Sequence, residues 1–276
     1  MNNNLVYYYC NVSTALAVLK EKEIWMTDIR NLNDLNELTG VYNMFFNLLE
    51  EYDLHRENIL PPLFDIARQP GAIQLYERPT RAHSYYVACF SKNRDSVSQW
   101  VSFGDDGHGL AIGFDEQQLI SAARAEGLEY HAISYVQDED IKQYIPEIYE
   151  VLLGMEDKSG RALMDATMSR IKEIYQSGAY FKTHHYRSEN EKRIIYEYPL
   201  TVKNLPDGWE VKAIKAYAKK NMINTCVPLA FPASAIKAVI TGPKYQKNFY
   251  ELEMALEVLG YKVSDITILE STSGYR

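Results

Sequence analysis

The chain has 276 residues, 46% of them hydrophobic and 24% charged, with a formal net charge of -8. This length and balance fit one globular domain with a substantial core. The acidic surface argues against strong non-specific nucleic-acid binding. Met1-Asn2-Asn3-Asn4 is polar and no apolar run of membrane-spanning length follows, so neither a signal peptide nor a membrane partner is expected. The three cysteines, Cys10, Cys89 and Cys226, are too scattered for a zinc site or a disulfide framework, which fits a reducing cytoplasm.

In chain order, Leu5 to Tyr9 reads as a strand and Ser13 to Lys22 as a helix capped by Asn11 or Ser13. Ile24 to Thr27 is extended, and Asn31 to Asp34 is turn chemistry. Helical spacing covers Glu37 to Tyr52, and a second helix is predicted near Leu63 to Leu75. Tyr85 to Phe90 reads as a buried strand and Ser96 to Phe103 as a short helix. A Gly-rich turn from Gly104 to Gly109 leads into a strand, Leu110 to Phe114. Asp115 caps a helix reaching Ala125, and Tyr130 to Val136 is a strand. Two long helices are predicted, Asp138–Leu153 and Arg161–Tyr175, as a helical insertion near 138–177. Strands at Arg193–Leu200 and Ala238–Thr241, a helix at Phe249–Leu259 and a strand at Tyr261–Leu269 complete the chain. Without a regular β-α-β rhythm, the class is α+β.

Three constellations could carry chemistry. Ser188-Glu189-Asn190-Glu191-Lys192-Arg193 leads into an apolar strand, where residues two apart share a side. Glu189, Glu191 and Arg193 would then share one face. Paired carboxylates suit a cationic transition state such as that of glycosidic cleavage. The simpler reading is a surface ladder in which Arg193 neutralises Glu191.

In the second constellation, Ser91 ends a buried strand and would orient a polar group, with Trp100 and Phe103 as an apolar wall. Alternatively Trp100 is core and the glycines a tight connection. A Ser91 nucleophile with His108 or His184 lacks the Gly-x-Ser-x-Gly elbow. The third is the polar group Asp28, Arg30, Asn33 and Asp34 after a strand, placed either to hold a ligand or to cap a helix. His184-His185, with few other ligands nearby, argues for no metal. Among the 22 tyrosines, some suit a pocket for a flat ring and most suit half-buried positions.

Taken together, Val6 to Asn11, Leu19 to Asp34, Ala88-Cys89-Phe90-Ser91, and Trp100 with Gly104 and Gly109 resemble a large family of bacterial and phage proteins. So do Ala111 to Phe114, Phe181-Lys182 before Glu189-x-Glu191-x-Arg193, and Ile240 to Pro243 with Ser271 and Tyr275. That family carries a domain-of-unknown-function label and is grouped with the ADP-ribosyltransferase-like superfamily. The resemblance implies a single domain over 1–276 with a split two-sheet β core, helices around it, and NAD bound as substrate in the cleft.

It also implies an NAD-dependent ADP-ribosyltransferase or NAD glycohydrolase, as a toxin or anti-phage defence protein, with protein, nucleic acid or water as acceptor. A non-catalytic NAD or ADP-ribose binding module on the same fold is the alternative, and a nuclease or hydrolase a third reading. The superfamily's three positions map by resemblance to Tyr8, Ser91 and Glu191, with Glu189 placed to select or activate the acceptor. Related sequences carry His where Tyr8 stands. A phenol can hydrogen-bond but brings no positive charge, so Arg30 or Arg193 would supply it. Tyr9 or Trp100 would pack beside the nicotinamide, and Asn33 and Asp34 complete the expected binding set.

Overall fold

The computed structural model describes residues 4–32, 36–69, 83–175, 178–199, 211–219, 222–246 and 248–275. It is a mixed α+β structure with one ten-stranded sheet, a separate two-stranded sheet and, among the described residues, nine α-helices.

The strands are β1 (Leu5–Cys10), β2 (Glu23–Asp28), β3 (His83–Ser91), β4 (Leu110–Asp115), β5 (Glu129–Ala132), β6 (Ser134–Val136), β7 (Phe181–Thr183), β8 (Glu191–Pro199), β9 (Lys215–Lys219), β10 (Met222–Ala230), β11 (Ile236–Thr241) and β12 (Thr267–Glu270). The helices are α1 (Val12–Glu21), α2 (Asn36–Leu54), α3 (Pro61–Ala67), α4 (Val97–Ser102), α5 (Glu116–Ala125), α6 (Asp138–Lys142), α7 (Ile145–Leu153), α8 (Gly160–Tyr175) and α9 (Phe249–Val258). Asn11, Asp115 and Asn248 cap α1, α5 and α9 by accepting backbone N–H groups, as short polar side chains do at helix starts.

β3 is the spine of the large sheet. One of its edges pairs with β8 along its whole length, from His83↔Pro199 to Ser91↔Glu191. The other edge is shared between two strands. β2 meets it at Val87 and Tyr86, and β1 meets it at Ser91. Between these points Ala88, Cys89 and Phe90 have no strand partner on that edge among the described residues. The sheet therefore forks, with β1-β4-β11-β12 as one branch and β2-β10-β9 as the other.

Side chains alternate across the sheet, so each face has its own neighbours. Ala88 and Phe90 join Ile194, Tyr196, Ile112 and Phe114 in the main core, covered by Ala15, Val18 and Leu19 of α1, Leu119 of α5 and Leu256 of α9. A second apolar cluster is built from α2, α3 and α6 to α8, with Phe45, Leu63, Ile148 and Leu163 at its centre. The helical region is thus wider than the expected insertion at 138–177, because α2 and α3 belong to it.

Several elements depart from expectation. The predicted helix 138–153 is two helices, since Pro146 lies in the first turn of α7, where a missing N–H and a fixed φ favour a start over a continuation. The predicted strand 130–136 divides at Ile133, whose N–H donates to Glu191 O, so that β5 joins β8 and β6 joins β7. The last strand shortens to β12 because Val263–Asp265 forms a 3-10 turn. The β9–β10 hairpin was not expected at all. Pro228 sits in β10 where β2 pairs with it but the pairing to β9 has ended at Cys226, so its missing N–H breaks no ladder. The parts of the predicted helix 63–75 beyond residue 69, and Leu200, lie outside the described residues.

The Gly-rich connection is explained by closeness. A Cβ on Gly109 would stand 2.2 Å from Cys10 O, and one on Gly242 would stand 2.2 Å from Gly107 O. Only glycine lets the turn before β4 nest against the ends of β1 and β11.

Candidate functional site

A cleft opens at the sheet fork. Its floor is the part of β3 left unpaired on one edge, Ala88, Cys89 and Phe90, and its sides are Tyr8 and Tyr9 of β1 and Trp25 and Thr27 of β2. Gln99, Phe103, Asn31 and Leu32 also line it, and Glu189 and Glu191 supply carboxylates. The cavity is about 150 Å³, a size that holds one six-membered ring. A larger ligand would enclose one ring and leave the rest in the open part of the cleft.

The carboxylates belong to a buried ionic cluster. Glu191 opens β8, and Arg193 follows on the same side. Arg193 Nε donates to Glu191 Oε1 at 2.6 Å, its Nη2 to Oε2 at 3.3 Å, and its Nη1 to Ala179 O at 3.0 Å. Lys182 Nζ stands 2.7 Å from Glu191 Oε2 and 2.5 Å from Glu189 Oε2. Arg193 is 0% exposed, Lys182 1% and Glu191 6%, so water does not screen these pairs and the interactions are strong. Tyr135 OH accepts the Glu191 N–H at 2.7 Å, which fixes the strand start. Glu189 ends a 3-10 segment, His184–Glu189, and Asn190 turns the chain with φ 46°. The two carboxylates are therefore not successive members of one strand face, as the Glu-x-Glu spacing suggested. They converge because a left-handed turn lies between them. Nor is the group a surface ladder, although Arg193 does pair with Glu191.

Burial pushes the Glu191 carboxyl up, but Arg193 and Lys182 beside it more than offset that and hold it at about 2, against an ordinary value of 4.5. A depressed carboxyl contributes stability that is present above the unfolded value and is lost as pH falls through the folded one. The stability advantage of the wild type over Glu191→Gln is expected to be constant above about pH 5, to shrink as pH drops from 4.5, and to vanish near 2. Urea unfolding of both proteins across that range checks it. A gap that does not change with pH would show that the ionised form is not what stabilises the fold.

The expected site residues divide. Tyr8, Tyr9, Glu189 and Glu191 all border the cleft. Burial, followed by nearby Cys10, Cys89 and Tyr217, pushes the Tyr8 phenol well above its ordinary range, so it stays neutral. The Tyr9 hydroxyl is committed, donating to Asn93 O at 2.7 Å and accepting the Ser96 N–H at 3.2 Å.

Ser91 does not line the cleft. It is buried, donates to Glu189 O at 2.6 Å and accepts the Asn93 N–H at 3.0 Å. Its hydroxyl ties the backbone of the acidic turn to the loop after β3. Trp100 is likewise core: it is wholly buried, packs edge-on to Tyr9 and donates to Asp95 at 2.7 Å. Phe103, expected beside it, does reach the cleft. Neither arginine is among the lining residues: the Arg30 guanidinium is held in a bidentate pair by Asp28, and Arg193 serves Glu191. Asn33 and Asp34 lie outside the described residues.

Four residues escaped sequence reasoning. Trp25 could have been found from alternation, because Ile24 and Met26 face the core and Trp25 between them must face the other way. Gln99 precedes Trp100 on a short helix and gave no signal. Lys182 had none beyond its place before Glu189. Asp95 accepts from Trp100, Ser271 and Thr272 and so ties the last described residues of the chain to the loop after β3. Burial raises its pKa, and these hydrogen bonds from Ser271, Trp100 and Thr272 outweigh that and lower it. The cysteines are free thiols. Among the described residues no group of three or more His, Cys, Asp or Glu could hold a metal ion, and no helix is long and apolar enough to cross a membrane.

Fold and site define an α+β protein with a forked sheet and a buried ionic cluster at the fork. Residues 99–194 match the model of a family described as a protein of unknown function (DUF2971). The match covers about a third of the chain and ends inside β8, so it includes Lys182, Glu189, Glu191 and Arg193. That description carries no activity and no tie to ADP-ribosyltransferases. No curated protein and no solved structure matches the chain.

Proposed function

We propose that the cleft binds NAD and that the protein cleaves its nicotinamide–ribose bond, as an ADP-ribosyltransferase or NAD glycohydrolase. The observation that carries this reading is two carboxylates bordering one ring-sized, aromatic-walled cleft at a fork in the sheet. The resemblance to ADP-ribosyltransferase-like proteins implies a split two-sheet core with NAD in the cleft; here the cleft lies at a fork within one ten-stranded sheet.

In this reading one ring of NAD lies against Trp25, Phe103 and Tyr8. Glu191, held ionised, accepts a hydrogen bond from a ribose hydroxyl and offsets the charge of the oxocarbenium-like transition state. The C–N bond breaks with its electron pair going to the nicotinamide ring, which leaves neutral. The acceptor oxygen or nitrogen then bonds to the anomeric carbon and gives up its proton to Glu189, the more exposed of the two carboxylates. Water as acceptor gives hydrolysis; a protein or nucleic-acid group gives transfer. A role as toxin or anti-phage defence protein accompanies this reading and would appear as loss of host NAD on expression.

A second reading is favoured by one feature. Both oxygens of Glu191 are already paired with cations, which suits a module that binds NAD or ADP-ribose without turnover. Incubating the protein with NAD separates the two. The enzyme releases nicotinamide and its melting temperature rises with NAD; the binding module shows the rise alone. If NAD and ADP-ribose leave the melting temperature unchanged and no nicotinamide forms, both readings fail.

A further inference from the structure

We propose that Lys182 is the positioning residue of the site: its buried ammonium, touching both carboxylates, keeps Glu189 and Glu191 ionised side by side. The use of that pair on NAD rests on the reading above; the electrostatic role does not.

The argument begins with charge. Two carboxylates within 2.7 Å of the same nitrogen repel unless a cation lies between them, and with no such cation one of them takes up a proton. Arg193 donates to Glu191 and to Ala179 O, whereas the Lys182 ammonium touches an oxygen of each carboxylate. With Lys182 the four groups balance, two negative and two positive; without it an excess negative charge stays buried.

Location reinforces the assignment. Lys182 lies on β7, the strand next to β6, whose Tyr135 fixes the start of β8. Its ammonium also stands 5.2 Å from the centre of the Tyr186 ring, an attraction that needs positive charge. Charged and titratable groups around the pair include Arg193 on β8, Lys182 on β7, Tyr135 on β6, Tyr186 with His184, His185 and Arg187 in the 3-10 segment, and the register partners of Arg193, Cys89 on β3 and His131 on β5. Arg193 and Lys182 both lower the Glu191 carboxyl, and Lys182 also reaches across to Glu189.

The test is a cycle of Lys182→Met, Lys182→Arg and the double variant Lys182→Met/Glu189→Gln. In ligand-free protein, carboxylate-selective NMR is expected to show one member of the pair in Lys182→Met titrating about one to three pH units higher than in wild type. The acid limb of nicotinamide release should move up equally. Lys182→Arg, which keeps the charge, should hold the wild-type titration. The double variant, in which cation and excess carboxylate leave together, should restore it for Glu191. Should Lys182→Met fail to fold, the double variant is expected to fold where the single one does not. Unchanged carboxylate titration in Lys182→Met, or a double variant no better than the single, would overturn the proposal. A titration shift with no nicotinamide release from any variant or wild type would support the role of Lys182 and overturn the NAD reading.

Discussion

Arg193→Met is expected to destabilise the protein by about 3–5 kcal/mol, the usual cost of leaving a buried charge without its partner. Arg193 is fully buried and donates twice to Glu191 and once to Ala179 O. Methionine fills much of the volume, so the loss is one of charge pairing and hydrogen bonding more than of packing. Removing Glu191 at the same time should recover part of the loss, because a neutral, apolar pair of similar size replaces an ionic one. Urea midpoints for Arg193→Met, Glu191→Leu and the double variant measure this. A double variant whose loss equals the sum of the singles would mean that Arg193 and Glu191 do not interact energetically. A single variant within about 1 kcal/mol of wild type would place the pair among weak, screened surface bridges.

What the sequence made legible follows from locality. β1, β3 and β4 are short apolar runs bounded by polar residues, and α1 and α5 carry their caps in Asn11 and Asp115. These signals sit within a few residues of what they predict. The fork does not. It depends on Ser91 meeting Tyr7 while Val87 meets Thr27, pairings between segments some sixty or more residues apart. The β9–β10 hairpin was hidden because Asn224 and Pro228 lower strand propensity, and tertiary pairing overrode them.

The same limit governs the site. Glu191 and Arg193 were found as neighbours because the strand period brings them together. Lys182 was not, because its place between the carboxylates depends on the 3-10 segment and the left-handed Asn190. Trp100 and Trp25 exchanged roles for a similar reason. Trp100 sits in a conspicuous Gly-rich setting, and that setting exists to bury it: a Cβ on Gly104 would meet its ring at 2.5 Å. Trp25 shows only the alternation of a six-residue strand, yet 41% of it remains exposed and it reaches the cleft.

Glu191→Gln is expected to lower the rate of NAD cleavage by about 10²–10³-fold, the range for removing one preorganised electrostatic stabiliser. Glutamine keeps the shape and can still accept a hydrogen bond from a ribose hydroxyl. What it lacks is the negative charge, and its loss leaves the two buried cations, Lys182 and Arg193, with one carboxylate, Glu189, paired to Lys182. The site then turns net positive where positive charge develops on the sugar. The effect should fall on kcat more than on KM, because the charge is larger in the transition state than in the bound ground state. Glu189→Gln provides the contrast: with the Glu191 charge intact, hydrolysis should persist while transfer to an acceptor weakens. Nicotinamide release under single-turnover conditions reads both. Equal rates for wild type and Glu191→Gln would remove Glu191 from the chemistry, and a binding role would then rest on the melting shift with NAD alone. A large loss in Glu191→Gln with the fold intact at neutral pH would show that a carboxylate paired with two cations can still act on a third charge. That is physically reasonable in a buried site. The cations fix the orientation of the carboxylate, and what the transition state meets is the local field at the sugar, which depends on distance and direction as well as on net charge.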